Sequence, residues 1–103
     1  MAAISKTFAY GTLEADTDTW LLAREQVIPL DISFPFDTFL EHKMVSVIGR
    51  MGIPQGSSMT KLIVEKIVSH DAIAGRSFEI YQSSQGGSAI DNWLIAEREL
   101  LNA

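Results

Sequence analysis

The sequence predicts an all-α protein, with four or five short helices in a compact single domain and an extended N-terminal arm over residues 1–15. Three observations carry that expectation. The segments DTWLLAREQV, starting at Asp18, and DNWLIAEREL, starting at Asp91, echo each other. Each sets an acidic residue two places before a Trp, a Leu directly after it and an Ala three places after it. A helical apolar stripe joins Phe36, Phe39, Leu40, Met44, Val47, Ile48 and Met51 at mostly three- and four-residue steps. Pro29, the Gly52/Pro54 pair and Gly86–Gly87 then punctuate the gaps between periodic segments.

Taken in order, Ser5 to Thr12 alternates weakly and reads as an arm. Asp16, Thr17 and Asp18 are all good N-cap residues, so a helix follows from about Asp18 to Val27, with Trp20, Ala23 and Val27 on one stripe, and Pro29 ends it. Leu30 to Phe36 is an extended connection, because Pro35 moves Phe34 out of the helical region. The stripe from Phe36 to Met51 makes the next helix, closed by Gly52 as a left-handed cap and Pro54 as a stop. Ser57 or Ser58 caps a helix over 57–68 with Met59, Leu62, Ile63 and Ile67 inside, and a helix over 71–83 either continues it or restarts near Ser69 to Asp71. Ser83 to Ser88 is a turn. The last helix starts near Ser88 and presents Ile90, Trp93, Leu94, Ala96 and Leu100. Both tryptophans are expected to face one shared core.

Composition excludes several classes of function. A chain of 103 residues with 47% hydrophobic residues folds as one domain. It has no cysteine, so disulfides, thiolate metal sites and thiol nucleophiles are all excluded, and a reducing, cytoplasmic location is expected. No stretch approaches a membrane-spanning run, and no apolar leader is present, so no membrane partner is expected. The net charge of −5 is spread over both halves. Nucleic acid draws its affinity from clustered Lys and Arg, so it is not an expected partner.

In IAGRSFEIYQSSQGGSAIDNWLIAEREL, residues 73–100, the positions Ile73, Arg76, Ser77, Phe78, Glu79, Ile80, Tyr81, Gly86, Gly87, Trp93, Leu94, Ala96, Glu97, Glu99 and Leu100 form a pattern. It resembles a short bacterial domain of unknown function. The resemblance implies a helical hairpin and no established activity.

Sharper motifs are weak. Gly49, Arg50, Met51 and Gly52 have the spacing of a nucleotide-clamping GxxG loop, but Pro54 and the acidic charge favour a helix cap. A helix-turn-helix over Ser57 to Tyr81 would need a basic recognition helix, and Arg76 alone does not make one. His42 and His70 each have an acidic neighbour, Glu41 and Asp71, yet adjacent residues on a helix point about 100° apart and do not chelate together. The serines of the turns, Ser57, Ser58, Ser83, Ser84 and Ser88, lack a nucleophile-elbow pattern. No catalytic residue, metal ligand or cofactor is therefore expected. The expected function is a non-catalytic protein–protein interaction module, an accessory subunit or homo-oligomer of bacterial origin. Its contact residues are Phe8, Tyr10, Phe34 and Phe36, since exposed aromatics mark interfaces. The alternative is a small enzyme or ligand-binding protein with an inter-helix pocket near His42 or His70.

Overall fold

The computed structural model describes residues 6–15, 18–36, 38–83 and 87–102. It overturns the all-α helical bundle. Five strands, β1 (Thr7–Ala15), β2 (Thr19–Ala23), β3 (Gln26–Asp31), β4 (Met44–Gly52) and β5 (Lys61–Ser69), close into a barrel in the order β1-β2-β3-β5-β4. A 3-10 turn, Thr38–Leu40, precedes β4, and the helices α1 (His70–Gln82) and α2 (Ala89–Asn102) follow β5. Since β4 lies beside β1 and β1-β2-β3 is a meander, the arrangement is a Greek key. All neighbours are antiparallel except β3 and β5, joined in parallel at Leu30↔Leu62 and Asp31↔Ile63.

The residues read as a helix after Asp18 form a hairpin instead. Trp20, Leu21, Leu22 and Ala23 pair with Pro29, Ile28, Val27 and Gln26 around the two-residue turn Arg24–Glu25. Arg24 is left-handed there, at φ 57°, as the first residue of a tight hairpin turn often must be. Pro29 ends no helix. It sits inside β3, one residue before the ladder to β5 begins at Leu30. The N-terminal arm is likewise a barrel strand from Thr7 onward, paired with β4 over Thr7–Thr12 and with β2 over Thr12–Ala15; residues 1–5 lie outside the described part.

The apolar stripe from Phe36 to Met51 splits between the 3-10 turn and β4, and the helix expected over 57–68 is a turn followed by β5. Both strands explain the misreading. Val45 and Val47 of β4 and Leu62 and Val64 of β5 face the barrel interior. On the opposite faces, Val68 packs with the helices, and Ile48 lies against α2 beside Leu94 and Leu101. A strand covered on both faces reads as a continuous apolar run, in which helical spacings can always be found. The β-branched density of LIVEKIV was the contrary signal.

Glycine is required at two places in this region. Gly49 follows a register shift where β5 folds closely over β4, and a Cβ on it would lie 2.0 Å from the Ile63 carbonyl oxygen. Gly56, at φ 86°, is the third residue of the turn closed by Ser57 N–H donating to the Pro54 carbonyl. The Gly49–Gly52 motif is therefore a strand, not a helix cap or a loop between helices.

The barrel core comprises Leu13, Leu21, Leu30, Val45, Val47, Leu62 and Val64, with Phe34, Phe36 and Leu40 packed against it. A second cluster, Ile73, Ile80 and Ala96 with Val68, Trp93 and Leu100, joins the helices to β5. Helix α1 starts sharply because the Ser69 hydroxyl accepts from the Ala72 N–H, and α2 because the Ser88 hydroxyl accepts from the Asp91 N–H. The two tryptophans do not share a core. Trp93 belongs to the helical cluster, whereas Leu21 takes the inward position on β2 and strand alternation leaves Trp20 on the outer wall, opposite Glu14 and Pro29.

Candidate functional site

Alternation along β1 sends Leu13 inward and Phe8, Tyr10 and Thr12 outward. Across the strand pairs, Tyr10 stands opposite Ser46, Phe8 opposite Ile48, Thr12 between Met44 and Leu22, and Leu22 opposite Val27. The outer wall of β4-β1-β2-β3 thus carries a run of apolar side chains. Phe8, Tyr10, Leu22 and Met44 are each between 41% and 51% exposed, and Val27 is 58% exposed. Phe8, Tyr10, Leu22 and Met44 border a groove of about 590 Å3 over Gly11 and Ile28, in which Arg24 is the one charged lining residue among the described residues. The Phe8 and Tyr10 rings lie 6.1 Å apart. Soluble monomers seldom expose a contiguous patch of this kind without a use for it.

Beside Tyr10, the helical hairpin is fastened to the barrel by a buried polar link. Ser46 on β4 is fully buried, and its hydroxyl lies 3.0 Å from His70 Nε2 and donates to Glu97 Oε2 at 2.9 Å. The His70 ring packs edge-on to Trp93 at 5.1 Å and lies 6.3 Å from Tyr10. Serine, histidine and glutamate resemble a hydrolytic triad in composition only. The single hydroxyl proton of Ser46 is committed to Glu97, so His70 Nε2 must donate to Ser46 rather than take its proton. A buried hydroxyl with its proton turned away from the imidazole is a structural rivet. Sequence reasoning passes over Ser46 because it sits mid-strand among valines, and it meets Glu97 only as part of the pattern over residues 73–100.

Compared with known proteins, the chain matches no family model, no curated protein and no solved structure.

Of the four expected contact residues, two come together and two do not join them. Phe8 and Tyr10 are neighbours on the groove wall, whereas Phe34 and Phe36 are half-buried against the barrel core. Leu22 and Met44 complete the wall. No local signal marks them: Leu22 stands in a Leu–Leu pair without alternation, and Met44 opens a strand whose apolar run reads as a helical stripe. The two histidines have separate settings: His70 lies at the rivet, and His42 lies in the turn before β4. His42 is not on a helix. Its Nδ1 lies 2.8 Å from Glu14 Oε2 and its Nε2 lies 3.7 Å from Glu41 Oε1. Among the described residues, Glu14, Glu41 and His42 are the group whose donor atoms converge within 4.8 Å, as metal ligands must. No helix among the described residues is long and apolar enough to cross a membrane.

Proposed function

We propose that this chain is a small non-catalytic binding domain whose barrel wall, centred on Tyr10, Leu22 and Met44, docks an apolar segment of a protein partner. The observation that carries the reading is the run of half-exposed apolar side chains around a groove with a single charged lining residue. Among the described residues β1 pairs with β4 over Thr7–Thr12 and with β2 over Thr12–Ala15, so beside Phe8 and Tyr10 it is laddered on one side. A partner segment can therefore dock as an amphipathic helix against the side chains or as a strand added along this edge. The buried, donor-reversed Ser46 supports a binding role over a hydrolytic one.

A second reading comes from the architecture and the paired rings. Five-stranded Greek-key barrels of the OB type bind oligonucleotides on the barrel wall, and Phe8 and Tyr10 offer two adjacent stacking surfaces. The net charge of −5 and the single Arg in the groove argue against it.

The test compares the wild-type chain with a Tyr10→Lys/Leu22→Lys variant in affinity capture from the source cell and in light scattering. A polypeptide, or self-association, that is lost in the variant while circular dichroism stays unchanged supports the reading. Identical captures from both chains, or none with both monomeric, would sink it. A labelled single strand that binds at low salt and dissociates at high salt would replace it with the second reading.

A further inference from the structure

We propose that Glu14, Glu41 and His42 form a site for a divalent transition-metal ion of the Zn2+ class, which clips the turn before β4 to the end of β1. Three donors, one imidazole and two carboxylates, converge here from two parts of the chain far apart in sequence. His42 Nδ1 and Glu14 Oε2 are 2.8 Å apart, a separation that a shared proton spans. Ligand bonds of about 2.0–2.2 Å to one tetrahedral ion set neighbouring donors roughly 3.3 Å apart, so an ion can take that proton's place with little movement. Glu41 then needs only a side-chain rotation, as all three donor atoms already lie within 4.8 Å of one another.

The backbone holds these groups in place before any ion arrives. His42 N–H donates to the Leu13 carbonyl at 2.6 Å, and Leu13 N–H donates to the Lys43 carbonyl at 2.9 Å. These two bonds fix the turn beside Glu14. His42 itself is left-handed at φ 67°, a conformation in which histidine, asparagine and aspartate are enriched among residues with a side chain. Charge favours a cation as well. Even a protonated His42 ring offsets only one of the two carboxylate charges it faces.

The donor set selects the class of ion. Imidazole with carboxylate suits Zn2+ and its transition-metal neighbours, whereas Mg2+ and Ca2+ take oxygen donors alone. Three protein ligands leave a coordination position for water. The sequence view of Glu41 and His42 as poor co-ligands assumed a helix, and the left-handed turn removes that objection.

The test is calorimetric titration of the tag-free full chain with Zn2+, and separately with Mg2+. One Zn2+ per chain and no heat from Mg2+ are expected, together with a rise in melting temperature on adding Zn2+. His42→Asn, which retains the left-handed backbone, and Glu14→Gln should each weaken binding roughly tenfold or more, the loss typical of disturbing a metal's ligand shell. Glu41→Gln should weaken it too, and His70→Asn should leave it unchanged. Absence of Zn2+ binding, wild-type affinity in His42→Asn or loss in His70→Asn would overturn the proposal. Should His42→Asn alter the circular dichroism spectrum, Glu14→Gln and Glu41→Gln decide by the same criterion.

Discussion

Gly49 has no room for a side chain: a Cβ there would meet the Ile63 carbonyl oxygen at 2.0 Å and the Ile63 carbonyl carbon at 2.8 Å. Those atoms are backbone and cannot turn aside. Gly49→Ala should therefore destabilise the barrel by about 1–3 kcal/mol or more, the range for forcing extra atoms into a packed interior, as read by urea unfolding. Ser46 presents the opposite problem, a polar group whose removal leaves partners behind. Ser46→Ala deletes the acceptor of His70 Nε2 and the donor to Glu97 in one step. A cost of about 1–3 kcal/mol follows from stranding partly buried polar groups. Neither residue is conspicuous in the sequence, where Gly49 looks like a helix cap and Ser46 like a tolerated polar residue among valines. What makes each of them necessary is a neighbour from another strand or helix.

Among the elements, the helical hairpin was the most legible and the strands β2, β4 and β5 the least. Ser69 and Ser88 mark helix starts, and Ile73, Ile80, Trp93 and Ala96 fall at helical spacings that the packed pair uses. The hairpin is also tied on its surface, where Arg76 Nε donates to Glu99 Oε2 at 2.7 Å and Arg76 Nη1 to Glu79 Oε2 at 3.0 Å. The hydrogen bond from Arg76 holds the Glu99 carboxyl below its ordinary value near 4.5, and the same contact pushes the Arg76 guanidinium further up. A carboxyl whose folded value is depressed contributes stability at all pH above the unfolded value, and that contribution is lost as the pH falls below about 4.5. Glu99→Gln should thus flatten the acid limb of a stability–pH curve below that point and leave its shape near neutrality unchanged. Because the pair is exposed, added salt should reduce the difference between the two chains. The strands β4 and β5 were hidden by their own burial on two faces. In β2, the tandem Leu21–Leu22 puts one side chain inside the barrel and one in the groove, and such a pair carries no alternation to read.

At the scale of the whole molecule, the hairpin covers only part of the barrel. It lies over Ser46 and Ile48 of β4 and Val68 of β5, and leaves Phe8, Tyr10, Leu22 and Met44 half-exposed. The groove is what remains of an apolar barrel wall beyond the reach of two short helices. If a protein segment fills it, association should persist in about 0.5 M salt, where the screening length falls to a few ångströms and ionic steering is lost. Titration in light scattering or calorimetry checks this, and binding that disappears under those conditions would count against an apolar docking face.

By itself the sequence determined that this chain lacks thiol chemistry and a basic field and that its last third is helical. Only the tertiary structure decided that Trp20 lies on a strand, that His42 meets Glu14, and that Ser46 joins His70 to Glu97. The physical reason is the same in each case. Local spacing fixes which residues share a face of an element, whereas closing a barrel sets side by side residues that lie dozens of positions apart.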